Sequence, residues 1–146
     1  DPLRSRFPSA EILHQDILTA DLAPYPDPIV CGNLPYYITS PILERLLTLP
    51  SWRLAVFLIQ REVALRVAAQ PGSRDYGYLS VATQLSAHVE LLFDVPPGAF
   101  SPPPKVDSAV IRLTPLPGLV SPSPDLLRFT GHCFAHKRKT LRNNLL

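Results

Sequence analysis

The chain has 146 residues, 46% of them hydrophobic and 18% charged, the make-up of one folded domain with room for a small appendage and not of a disordered chain. A net charge of +2 does not by itself announce a polyanionic partner, and the longest apolar run, LAVFLI at Leu54–Ile59, is too short to span a bilayer. Cys31 and Cys133 lie far apart without ligand spacing, and no basic-then-apolar leader opens the chain, so the expectation is a cytoplasmic protein with neither metal nor membrane.

In chain order, DPLRSRF reads as the tail of a helix. AEIL (Ala10–Leu13) is a short strand candidate followed by the polar HQD, and PIVCG is a second strand ending at Gly32. SPILERLLTL places Ile42, Leu43, Leu46, Leu47 and Leu49 at helical spacing, with Ser40 as N-cap and Pro41 at the first helical position. RLAVFLIQ reads as a buried strand, REVALRVAA as a helix ended by QPGS, and GYLSVATQLSA as another helix. HVELLFDV and SAVIRLTPL are strands joined only by a proline loop. Parallel neighbours need a long crossover, so this last pair is predicted to be antiparallel.

Strands separated by helices predict an α/β sheet with helices on its faces. Eighteen prolines bunch between the elements, as stiff connections do. After Pro115 the composition shifts to a linker followed by one or two helices. There HKRKTLR, His136–Arg142, holds four Lys/Arg and no acid, which suits either a solvated helix face or a phosphate contact. Residues 1–116 are therefore expected to form the sheet domain and 117–146 the linker and the start of a helical unit. The glycine-rich turn that usually follows the first strand of a nucleotide-binding α/β domain is not in the chain, which reads as beginning inside a domain.

The chemistry concentrates in NLPY, Asn33–Tyr36, which follows directly on PIVCG. Ligands of open α/β sheets sit beyond the carboxyl ends of strands. Asn33 brings a carbonyl oxygen as acceptor. Pro35 fixes its own φ and drives Leu34 towards an extended conformation that can aim the Leu34 carbonyl, and Tyr36 adds a flat face. Two acceptors and a ring suit an aromatic amine. Acceptors outside the plane of an adenine favour a pyramidal nitrogen with a localised lone pair, which stabilises a transition state more than the flat ground state. The same four residues also suit an ordinary turn. In FSPPPKVDSAV a stiff proline segment can hold Phe100 as a stacking platform, or Phe100 can simply cap the core. Asp16, just past AEIL, can accept from a bound nucleoside or cap the following helix.

Together, QD…NLPYYITSPIL…FSPPPKVDSAV, the connecting QREVALRVAAQPGSRDYGYLSV and the closing KRKTLRNNL resemble the KsgA-type ribosomal RNA adenine dimethyltransferases almost from end to end. The resemblance implies a Rossmann-like methyltransferase sheet, incomplete here, followed by the start of a small helical domain. It implies an enzyme that uses S-adenosyl-L-methionine to dimethylate exocyclic amines of adenines in 16S rRNA of the small ribosomal subunit or its precursor, acting as a monomer during ribosome biogenesis. On that likeness Asp16 contacts the cofactor's adenine, and Asn33 joins cofactor and target amine with Leu34 and Pro35 shaping the backbone. Tyr36 and Phe100 sandwich the target base, and Arg74, Lys105, Lys137, Arg138, Lys139 and Arg142 face RNA phosphates. The family's glycine-rich cofactor loop and most of its C-terminal domain are not in the chain, so the chain alone is expected to be inactive. The resistance methyltransferases of 23S rRNA and the non-catalytic nucleic-acid-binding relatives of this superfamily are the alternative readings.

Overall fold

A computed structural model describes residues 2–118, 122–136 and 139–145. After a one-turn helix, α1 (Pro2–Arg6), the chain runs without regular structure to β1 (Ile29–Asn33), α2 (Thr39–Leu47) and β2 (Leu54–Gln60). There follow α3 (Arg61–Ala68), α4 (Tyr78–Gln84), β3 (Ala87–Val95), β4 (Ser108–Pro115), α5 (Pro124–Cys133) and α6 (Leu141–Leu145). The strands form one sheet in the order β1-β2-β4-β3. β1 and β2 are parallel, joined by the crossover through α2. β4 returns between β2 and β3, antiparallel to both, as the short proline connection predicts.

Alternation along the strands sorts the side chains into two faces. Ala55, Phe57 and Ile59 of β2 lie opposite Leu113, Ile111 and Ala109 of β4, and all six are buried. This face packs against Ile42, Leu43, Leu46 and Leu47 of α2, Ala64 and Val67 of α3, and the partly buried Leu79 of α4, with the apolar residues of α2 recurring at helical spacing. Gly32 belongs to the same packing: a Cβ there would lie 3.2 Å from Leu34 Cδ2, so the missing side chain is what lets Leu34 fold back onto the core. The other face carries Cys31, Asn33, Leu58, Gln60, Ser108, Val110 and Arg112, the last in a two-pronged ion pair with Glu90 at 2.7 Å.

Three expectations change. AEIL is not a strand. Its backbone joins no ladder, and Ile12 offers its carbonyl to Arg4 Nη2 at 3.1 Å, because an extended segment with no strand beside it leaves its polar groups to loops and solvent. Ser40 does not cap α2. The helix grows out of a 3₁₀ turn at Tyr36–Ile38, Thr39 Oγ1 donates to the Pro35 carbonyl at 3.1 Å, and Ser40 and Pro41 already lie inside the first turn. Proline is tolerated there because first-turn N–H groups lack helical acceptors anyway. The helix predicted over GYLSVATQLSA is shorter, ending at Gln84, since Ala87 is drawn into the ladder with β4.

Beyond β4, the Ser123 hydroxyl accepts from Leu126 N at 3.2 Å to cap α5, with Pro124 at its first position. The Asn144 side chain then ties α6 to the end of α5, donating to the Cys133 carbonyl at 3.0 Å and accepting from His136 N at 3.0 Å. No helix among the described residues is long and apolar enough to cross a membrane.

Candidate functional site at the strand ends

Topology decides what meets at the carboxyl edge of the sheet. β1 ends at Asn33 and β2 at Gln60, and antiparallel pairing sets Gln60 and Val95 beside Ser108, the first residue of β4. The loop leaving β1 and the proline loop between β3 and β4 are therefore neighbours, although they are far apart in sequence. Between them lies an open cleft of about 330 Å³ lined by Asn33, Leu34, Pro35, Tyr36, Phe100, Pro102 and Pro104.

Each wall is held differently. The ladder continues one residue past β1, where Leu34 N donates to the Leu58 carbonyl at 3.0 Å. Leu34's side chain is buried, so the peptide leaving Asn33 is anchored from two sides. Pro35 sits at φ −59° and ψ 131°, the extended geometry its ring favours, and turns the chain into the 3₁₀ segment. The Asn33 side chain is exposed at the cleft and, among the described residues, neither its amide nor the Leu34 carbonyl takes part in a hydrogen bond. Two oxygens at one strand end are thus left for a ligand. Tyr36 is half-buried with its hydroxyl 2.7 Å from Ser108 Oγ, whereas the adjacent Tyr37 is 85% exposed. Across the cleft, Phe100 is half-buried and its N–H donates to the Pro97 carbonyl at 3.1 Å.

Beside this cleft a second recess is lined by Gln60, Arg61, Glu62, Leu65, Val106 and Asp107. Its cation is already engaged: Arg61 Nε donates to Asp94 at 2.9 Å, which, with the Asp94 charge, raises the guanidinium's already high pKa. Glu62 and Asp107 stand beside it, so the recess is lined by charges of both signs.

Of the residues singled out in the sequence, Asn33, Leu34, Pro35, Tyr36 and Phe100 come together. Asp16 does not line that cleft. It is exposed, and no helix follows for it to cap: its Oδ1 accepts from Leu18 N at 2.9 Å and closes a local turn, while Oδ2 has no hydrogen bond among the described residues. Lys105 is exposed on the proline loop, Arg74 on the turn between α3 and α4, and Lys139 and Arg142 near the end of the chain. Lys137 and Arg138 lie outside the described residues. Sequence reasoning missed Ser108, Pro102 and Pro104. Residue type alone does not mark Ser108, whose contact with Tyr36 spans 72 positions of sequence. No group of three or more His, Cys, Asp and Glu among the described residues forms a metal site.

Comparison with known proteins agrees with this fold. The model of the family described as ribosomal RNA adenine dimethylase matches residues 4–146. A ribosomal RNA small subunit methyltransferase A of Acidobacterium capsulatum is 51% identical over 98% of this chain and 54% of its own length. One from Levilactobacillus brevis is 47% identical over 95% and 51%. Thus the chain spans about half the length of the curated relatives it matches. Among solved structures, a dimethyladenosine transferase from Plasmodium falciparum superposes with a TM-score of 0.83 at 29% identity, covering 99% of this chain and 54% of that one. The 23S rRNA methyltransferase ErmE gives 0.74 at 30% identity, covering 99% and 60%.

Proposed function

This chain belongs to the ribosomal RNA adenine dimethylase family, and from that premise we propose that its cleft is the target-base site of an adenine dimethyltransferase acting on small-subunit rRNA. The observation that carries the reading is the convergence of Asn33, Leu34, Pro35, Tyr36 and Phe100 on one opening at the strand ends. An adenine flipped from its RNA stacks between the rings of Tyr36 and Phe100. Its amino hydrogens are accepted by Asn33 Oδ1 and the Leu34 carbonyl, oxygens left without internal partners. The backbone that carries both acceptors is held to β2 through the Leu34–Leu58 bond, which limits the reorganisation needed to favour the pyramidal amine.

S-adenosyl-L-methionine, which membership of a methyltransferase family implies, would supply an electrophilic methyl group on a sulfonium. The residues present fit it at one end, where the unpartnered Asn33 amide would border the methyl, and Asp16 Oδ2 would accept from its adenine. Residues 1–116 then form the later part of the catalytic domain, and 117–146 a linker and the beginning of the helical domain. Arg74, Lys105, Lys137, Arg138, Lys139 and Arg142 meet phosphates, which fixes position and salt dependence more than sequence choice. The whole protein works as a cytoplasmic monomer.

The small-subunit substrate is favoured over the large one because the curated relatives at 47–51% identity carry small-subunit names. Primer extension on both rRNAs after incubation with the whole protein and cofactor tests it. Stops confined to small-subunit RNA are expected, and stops only on large-subunit RNA would reverse the assignment.

A further inference from the structure

We infer that Ser108 is a positioning residue for the target base, acting through the Tyr36 ring; this rests on the reading of the cleft given above. Ser108 opens the central strand β4, is fully buried, and is flanked in the sheet by Gln60 and Val95. Its Oγ lies 2.7 Å from the Tyr36 hydroxyl, across 72 positions of sequence. Stacking alone does not require this contact. A phenylalanine offers a base the same face, and a phenol at the mouth of a cleft would be satisfied by water. The hydroxyl reaches inward instead, to a side chain held by hydrogen-bonded strands on both sides.

The consequence is geometric. Asn33 pairs with Leu58 and Ser108 with Gln60, two residues further along β2 on the same face. Asn33 and the far end of the Tyr36 ring are therefore referenced to one strand, and the Ser108 bond sets the tilt of the ring against the Asn33 amide. A base stacked on a ring of fixed tilt presents its amino edge to the two acceptors. On a ring free to rock, the same base still binds but spends less time aligned. The bond thus acts on the rate of transfer from bound RNA, while RNA affinity, carried largely by phosphate contacts, is unaffected.

The test uses a protein of the relatives' full length that carries this chain. Ser108→Ala, Ser108→Thr, Tyr36→Phe and the double variant S108A/Y36F are compared, with Asn33→Ala as reference. RNA affinity, the single-turnover methyl-transfer rate, and the quenching of 2-aminopurine at the target position are measured. Ser108→Ala and Tyr36→Phe should each slow transfer about three- to tenfold, the orienting worth of one hydrogen bond. RNA affinity should hold and base quenching should weaken. The double variant should be no slower than either single one, as expected for two ends of one contact, and Ser108→Thr should restore most of the rate. A normal rate in Ser108→Ala with Asn33→Ala strongly impaired overturns the role of Ser108 and leaves the cleft reading intact. Multiplying effects in the double variant, or weakened RNA binding at an unchanged rate, also overturn it. A normal rate in Asn33→Ala as well overturns the cleft reading itself. Should Ser108→Ala not fold, a folded Tyr36→Phe at the normal rate decides against the inference.

Discussion

Two polar residues occupy similar sequence settings and end in different states. Asn33 and Asp16 each follow a short apolar run, and each offers an oxygen acceptor. The run before Asn33 finds β2, so its ladder extends to Leu34 and delivers the amide to an opening shared with Tyr36 and Phe100. The run before Asp16 finds no strand, and the carboxylate closes its own turn onto Leu18 N. A strand-end residue becomes a site only when its strand has a neighbour, because hydrogen bonding across the ladder makes the position definite.

That contrast can be broken from the core side. Phe57 is buried on the core face of β2, opposite Gly32 of β1, so Phe57→Ala should cost about 3–5 kcal/mol in urea unfolding. A loss below about 1 kcal/mol would mean that the sheet does not anchor the cleft. Phe100→Ala should remove about 1–3 kcal/mol of target-base binding by titration with a 2-aminopurine RNA, with cofactor affinity unchanged. Asp16→Ala should cost under about 1 kcal/mol in this chain, the worth of an exposed cap. In a protein of full length the same change sharpens the comparison, since weaker cofactor binding by calorimetry would show a second duty for the carboxylate. The smallest effect is expected at the helix layer. Burial first, and then a hydrogen bond and the charge of Glu44, push the Tyr78 hydroxyl from 10.0 up to about 12. Its proton is held more tightly in the folded state, so its stabilisation is complete below pH 10 and fades as pH rises towards 12. Tyr78→Phe should flatten that part of the alkaline decline in Tm.

Period and turn chemistry made most of the sheet legible. The 3.6 spacing of Ile42, Leu43, Leu46 and Leu47 marked α2, and the absence of a helix between β3 and β4 marked their antiparallel pairing. AEIL failed because an apolar run reports strand propensity and not whether a neighbour exists. Ser40 failed because the 3₁₀ turn from Tyr36 starts the helix two residues early, at Thr39. In the site, NLPY and Phe100 could be read from residue type. Ser108 could not, since its role depends on a contact 72 positions away that only the return of β4 beside β2 creates.

The central claim is that the free Asn33 amide at the cleft acts on the target amine. Single-turnover methyl transfer to small-subunit RNA by Asn33→Ala, in a protein of full length that carries this chain, measures it directly. A fall of about a hundredfold with RNA binding retained is predicted, the loss expected for one well-placed polar stabiliser. Transfer at the unmutated rate would contradict the account.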